Sequence, residues 1–93
     1  MIKSFRNSDA EKLFKRRPVH RWPPDLQRRA LRRLLIFDAA EMLADLRVPP
    51  GNRLEKLTGE RTGQHSIRIN DQWRICFRWQ SGNAHAVEIT DYH

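Results

Sequence analysis

Cysteine occurs once in these 93 residues, as Cys76, so no internal disulfide can form and no thiolate cluster is available to hold a metal. No stretch approaches the ~20 apolar residues of a membrane-spanning helix, which removes the bilayer from the expected partners. Repeats and low-complexity tracts are missing too. The opening Met1-Ile2-Lys3-Ser4-Phe5 has neither the apolar core nor the small-residue cleavage site of a secretory signal, so the expected location is the cytoplasm, where an unpaired thiol stays reduced. A chain of this size buries only part of its surface and supports one core, so residues 1–93 are expected to form a single domain.

Acids are scarce as well. Eighteen Lys+Arg stand against eleven Asp+Glu, a net charge of +7, and fourteen of the bases are arginine, whose planar fork matches phosphate oxygens. A polyanion is the expected partner. Eight of the bases, Lys15, Arg16, Arg17, Arg21, Arg28, Arg29, Arg32 and Arg33, fall in one stretch with a single acid, Asp25. An isolated run of this kind is more often a solvated face that keeps a small protein soluble. The clustering here favours an RNA backbone, with Arg28, Arg29, Arg32 and Arg33 as candidate phosphate contacts.

Periodicity divides the chain in two. Ser8-Asp9-Ala10-Glu11 has the Ser-x-x-Glu spacing of a capping box, which predicts a first helix over 9–17, stopped by Pro18. Trp22-Pro23-Pro24-Asp25 then opens a second helix, because proline fits the first helical position and aspartate favours its positive end; this helix is expected to reach about residue 46. Leu26, Ala30, Leu34 and Phe37 stack on one side of it, and Leu31, Leu35 and Met42 on another. The second stripe is expected either to meet a protein partner or to be wedged between the sheet and the first helix.

After Pro49-Pro50-Gly51 and a turn between Gly59 and Gly63, residues 66–69, 73–79 and 84–90 read as strands. Their connectors, Asn70-Asp71 and Ser81-Gly82-Asn83, are short enough for antiparallel hairpins. Residues 2–5 alternate too and are expected to add an edge or inner strand. In the middle strand Trp73, Ile75, Phe77 and Trp79 share one face while Arg74, Cys76 and Arg78 share the other, giving an apolar side for the helices and a basic side for something else. The expected fold is α+β, two N-terminal helices packed on a small, mostly antiparallel sheet.

The last three residues, Asp91-Tyr92-His93, gather an acid, a phenol and an imidazole. Termini usually carry little of consequence, but on so basic a chain this cluster points to chemistry on a phosphate backbone. Other candidates read as packing. His65 is expected to share a face with Ile67 and Ile69, and His85 with Val87 and Ile89, since histidines without clustered partners rarely bind metal. Cys76 reads as structural. The tryptophans are expected to pack, with Trp22, amid arginines, as a candidate to stack on a base.

The stretch Asn52-Arg53-Leu54-Glu55-Lys56-Leu57-Thr58-Gly59, then Gly63-Gln64-His65-Ser66-Ile67-Arg68-Ile69, Trp73-Arg74-Ile75 and the closing Asp91-Tyr92-His93 resembles the HigB group of the RelE toxin superfamily, within it the GraT-type toxins. Similarity runs over nearly the whole chain and is most specific at G-x-x-S-I-R, N-x-Q-W-R and the terminal D-Y-H. The resemblance implies a RelE-like fold and the toxin of a type II toxin-antitoxin system. Its activity would be that of a ribosome-dependent mRNA endonuclease, or mRNA interferase. A HigA-like helix-turn-helix antitoxin would silence it and carry it to operator DNA. It also implies that Asp91, Tyr92 and His93, with the strand arginine at Arg74, are functional. Where relatives often have a His and a Lys before the Gly turn, this chain has Glu55 and Thr58.

RNA is cut without metal when its 2′-hydroxyl attacks the adjacent phosphate, given a proton acceptor, cations for the phosphorane charge and a donor for the leaving 5′-oxygen. His93 or Asp91 is the expected base, Arg74 and Arg68 the cations, and Tyr92 a stacking or orienting group. No metal or other cofactor is expected. Glu55 is a candidate base in place of the missing His, with Lys56 or Arg53 as cation; its plainer reading is a surface carboxylate paired to one of those two, worth about 0–1 kcal/mol. The alternative function is a non-nucleolytic toxin like the gyrase-poisoning ParE proteins, or a simple RNA-binding module on the same scaffold.

Overall fold

The structure, a computed structural model, describes residues 1–91. Helix α1 spans Ser8–Phe14 and is capped one residue earlier than the capping-box spacing predicts: the Asn7 side chain accepts from the Ala10 amide at 3.1 Å. It also ends earlier than residue 17. Arg16 turns into the left-handed region at φ 62, and the amides of Arg17 and Arg16 fold back onto the carbonyls of Lys12 and Leu13, both at 2.9 Å, the pairing that closes a helix C-terminus.

Helix α2 spans Pro24–Ala39, with Pro24 at its first position and Asp25 in its first turn as predicted. Its start is clasped to the preceding loop by Gln27. That side chain takes the Val19 amide at 3.0 Å and donates to the carbonyls of Val19 and Trp22 at 2.9 and 2.8 Å. The helix stops well short of the expected residue 46. The amides of Glu41 and Met42, which would continue it, donate instead to the Asp45 carboxylate at 3.1 and 3.0 Å, and that carboxylate opens a separate 3-10 turn over Leu43–Arg47.

Four antiparallel strands follow in the order β1 (Glu55–Lys56), β2 (His65–Arg68), β3 (Trp73–Gln80) and β4 (Asn83–Asp91). β1 was not expected from the sequence. Ser81 and Gly82, at φ 54 and 78, form the two-residue β3–β4 turn, the left-handed pair that matches strand twist. Asn70 shapes the β2–β3 turn by accepting from the amides of Gln72 and Trp73 at 2.9 and 2.8 Å. Residues 2–5 form no full strand. They lie parallel to β4 through isolated bridges, Ile2 to Ala84 and Phe5 to Val87.

β4 carries a bulge. Register slips between Cys76 and Arg78, and Ala86 sits at φ 50 with its amide donating to Ser4 Oγ at 2.8 Å. The extra residue changes the alternation, so Ala84, Val87 and Ile89 are buried while His85 pairs with Arg78 on the other side. His85 therefore does not share the face of Val87 and Ile89.

The core lies between α2 and one face of the sheet. Leu26, Ala30, Leu34 and Phe37 meet Ile67, Ile75, Phe77, Val87 and Ile89, with Phe37 and Phe77 rings 4.6 Å apart, and α1 adds Ala10 and Leu13. Each fully buried ring or branched side chain contributes about 1.5–3 kcal/mol. Trp22 is buried as well, edge-on to Trp73 at 5.8 Å, so it is not presented to a base. Of the second α2 stripe, Leu31 is half-buried, Leu35 is 42% exposed, and Met42 lies beyond the helix. No helix among the described residues is long and apolar enough to cross a membrane.

Arg16 carries a Cβ where glycine is favoured. The left-handed conformation costs an ordinary residue about 1–2 kcal/mol, and glycine returns part of that gain through the entropy of its unfolded chain, about 0.4–1 kcal/mol. Arg16→Gly is expected to raise stability by up to about 1 kcal/mol, read as a higher urea midpoint; an unchanged or lower midpoint would show that the arginine side chain offsets its backbone strain.

Candidate active site

β1 is the edge of the sheet, and its two side chains point to opposite faces. Glu55 stands opposite Ser66, which stands opposite Cys76 and then Glu88; Arg68 stands opposite Arg74 and then Thr90. These residues share the face turned away from the helices, because Ile67, Ile75 and Ile89 between them point into the core.

Arg74 is the centre of this face. Its Nε donates to Ser66 Oγ at 2.9 Å, one terminal nitrogen donates to the Arg53 carbonyl at 2.9 Å, and the same nitrogen lies 3.5 Å from the Glu55 carboxylate. The Arg74 side chain is 11% exposed and Glu55 is 53% exposed. The Arg53 carbonyl is aimed here because Arg53 adopts a left-handed conformation, φ 47, after the 3-10 turn over Pro50–Asn52. Asn52 anchors that turn from within the core, donating to the Leu46 and Val48 carbonyls at 3.2 Å each. The result is a positive charge held in place before any substrate arrives, beside an accessible carboxylate. Such preorganisation is what stabilises charge developing on a phosphate, since nothing has to reorient during the reaction.

The ion partner of Glu55 is thus Arg74, not Arg53 or Lys56. Arg53 contributes its backbone, and Lys56 pairs across from His65 on the opposite face. Arg68, next to Arg74, is tied to the β2–β3 turn, donating from Nε to the Asn70 carbonyl at 3.1 Å and pairing with Asp71. Asp91 ends β4 opposite Trp73, and its carboxylate accepts from Gln72 Nε2 at 2.9 Å. Tyr92 and His93 lie outside the described residues.

Three of the α2 arginines, Arg28, Arg29 and Arg32, lie on the helix across the core from Arg74. Arg28 and Arg29 share Asp25, at 3.5 and 3.2 Å, and Arg32 is exposed. Arg33 reaches the sheet, donating to the Arg68 carbonyl at 3.3 Å; burial, then Arg32 and Arg29, lower its pKa. α2 turns its apolar side to the core, so Arg28, Arg29 and Arg32 do not converge with Arg74 on one site.

Toward the middle of the outer face the expected basic surface closes over. Arg61, from the β1–β2 connection, donates to Glu88 at 2.6 Å and to Gln64 at 3.1 Å, and Arg6 lies 3.7 Å from Glu88. Cys76 and Ser66 beneath are fully buried, and burial pushes the Cys76 thiol up, Arg61 opposing and Glu88 reinforcing that shift. Ser66, Asn52 and Arg61 were not singled out from the sequence for these roles. A serine alternating with arginine in a strand is the one signal that marks Ser66. Among the described residues no group of three or more His, Cys, Asp or Glu side chains is disposed to hold a metal.

Comparison with known proteins gives a consistent likeness. The HigB-like toxin family, described as the RelE-like toxin of the type II toxin-antitoxin system HigB, matches residues 3–93. Toxin HigB-1 of Vibrio cholerae serotype O1 is 40% identical over 85 residues, 90% of each chain. Endoribonuclease HigB of Proteus vulgaris is 33% identical over 97 residues, covering both chains in full. Among solved structures, a chain of the YoeB-YefM complex from Staphylococcus aureus superposes with a TM-score of 0.63 at 17% identity, covering 100% of this chain and 98% of that one, a likeness of fold.

His65 is half-buried, stacked on Phe77 at 5.9 Å. Burial, reinforced by Lys56, lowers its pKa, so the folded protein binds a proton there less readily than the unfolded chain. The stability this contributes is complete above the ordinary histidine value of about 6.5 and falls as pH drops below it, because the unfolded chain takes up the proton first. His65→Phe keeps a flat ring on Phe77 and removes the titrating group. The thermal midpoint of the wild type is expected to fall further than that of His65→Phe between about pH 7.5 and about pH 5.5; equal falls would show that His65 does not carry this dependence.

Proposed function

Since this chain belongs to the HigB-like family of RelE-like toxins of type II toxin-antitoxin systems, we propose that it is an endoribonuclease that cuts mRNA on the ribosome and is held silent by a cognate HigA-like helix-turn-helix antitoxin. The observation that carries the reading is Arg74, fixed by Ser66, the Arg53 carbonyl and Glu55 at an accessible sheet edge. The relative in Proteus vulgaris named as an endoribonuclease supports the same reaction class.

The chemistry needs no metal, because side chains supply its three functions. Glu55 takes the proton of the 2′-hydroxyl as its oxygen bonds to phosphorus. Arg74 neutralises the charge that gathers on the equatorial oxygens, and the bond from phosphorus to the 5′-oxygen breaks as His93, assisted by Asp91, returns a proton to that oxygen. A 2′,3′-cyclic phosphate and a free 5′-hydroxyl result. Tyr92 stacks on a neighbouring base. Arg53 and Lys56 flank the message, and Arg28, Arg29 and Arg32 meet ribosomal RNA on the far side. Arg33 and Arg68, bonded into the fold, contribute field more than direct contact. The protein works in the cytoplasm, away from membranes, and reaches operator DNA only through its antitoxin.

The test is mRNA cleavage by the purified protein on programmed ribosomes, with and without chelator, beside Arg74→Ala and a truncation lacking residues 91–93. The expected outcome is chelator-insensitive, ribosome-dependent cutting that falls by about 100-fold or more in Arg74→Ala and is lost in the truncation, with circular dichroism unchanged. Folded wild type that cuts nothing would overturn the reading in favour of a toxin of the ParE kind, with gyrase as the target to assay next.

A further inference from the structure

Behind the β1 edge, on the face opposite Arg74, lies a half-enclosed cavity of about 420 Å³ lined by Leu43, Ala44, Arg47, Leu54, Lys56 and His65. Its lining is divided by chemistry. Leu43, Ala44 and Leu54 form an apolar wall. Arg47 and Lys56 are exposed cations whose side chains make no ion pair or hydrogen bond among the described residues, and no carboxylate lines the space. Asp45, the acid on the same 3-10 turn, is occupied by the amides of Glu41 and Met42. The third polar group is the His65 ring, stacked on Phe77, with Nδ1 buried and lacking a hydrogen-bond partner among the described residues.

We propose that this cavity binds one nucleotide of RNA, its base against Leu43, Ala44 and Leu54 and its phosphate between Arg47 and Lys56. Two unpaired cations without an acid select an anion, and an apolar wall beside an imidazole ring selects a flat, partly polar group. A nucleotide joins both. Position supports the same occupant: Glu55 and Lys56 are consecutive on an edge strand only two residues long, one facing Arg74 and the other facing the cavity. A strand of RNA with its scissile phosphate at Arg74 can turn around that narrow edge and seat a neighbouring nucleotide on the far side. The inference rests on the RNA-cleavage reading and deepens it, because a base held here makes cleavage depend on the sequence beside the cut.

The test is a titration of the full chain, labelled with ¹⁵N, with adenosine 5′-monophosphate and separately with inorganic phosphate. Saturable shifts are expected at residues 43–47, 54–56 and 65, with the nucleotide binding at least five-fold more tightly than phosphate. At about pH 7.5, above the range in which His65 alters stability, Arg47→Ala and His65→Phe should each weaken the nucleotide at least five-fold without moving the urea midpoint. Absence of saturable shifts, equal affinity for phosphate alone, or indifference to Arg47→Ala would overturn the assignment. So would perturbation of these residues by the antitoxin and not by nucleotide, which would make the cavity a protein contact. Ribosomal cleavage is scored separately. Cutting without nucleotide binding removes this site alone, and nucleotide binding without cutting removes the nuclease reading and leaves the site.

Discussion

Packing of Phe37 against Phe77, rings 4.6 Å apart, decides which way β3 faces, and everything else on the sheet follows from that choice. A strand offers its side chains to two sides in turn. Once Ile75 and Phe77 are committed to the helices, Arg74 and Cys76 must emerge on the other side, where β2 supplies Ser66 and β1 supplies Glu55. The apolar core and the charged centre are thus built by the same eight-residue strand. A one-residue slip in β3 would turn both Arg74 and Arg78 toward the core and bring Ile75 and Phe77 out onto the charged face.

Arginine does two kinds of work in this chain. Some guanidiniums are fasteners. Arg61 joins the β1–β2 connection to Glu88, Arg33 ties α2 to the Arg68 carbonyl, and Arg68 braces the β2–β3 turn. Others, such as Arg32 and Arg47, are exposed and make no such bond among the described residues. Arg74 belongs to both groups, since the bonds that hold it also aim it. A high positive charge in a small domain therefore overstates the cation surface a polyanion would meet, because part of it is spent on joining elements that a small core cannot hold alone.

Local patterns were legible in the sequence where local physics decides the outcome. The start of α2 follows from Pro24 and Asp25, the β3–β4 turn from Ser81 and Gly82, and the buried face of β3 from strict alternation. What escaped depends on side chains that compete with the backbone or on partners far along the chain. Asp45 takes the amides that would have prolonged α2, and Asn7 outcompetes Ser8 as a cap. The bulge at Ala86 needs Ser4 to receive its amide, and β1 exists as a strand because β2 is beside it. At the candidate site, Arg74 and Glu55 were named from resemblance and chemistry. Their 3.5 Å pairing and the Ser66 hydroxyl that fixes it depend on sheet register, which no single segment encodes.

The segment over residues 2–5 has a consequence for the protein in solution. Lys3 and Arg6 donate to the carbonyls of Ala84 and Val87, and the amides of Ala84 and Val87 donate back to Met1 and Ser4, so the outer rim of β4 is already occupied. The opposite rim, β1, is two residues long. A sheet so finished offers no long row of free amides and carbonyls for a second chain to extend, which guards against the edge-to-edge stacking that leads to fibres. That guard lies in the protein's own first six residues.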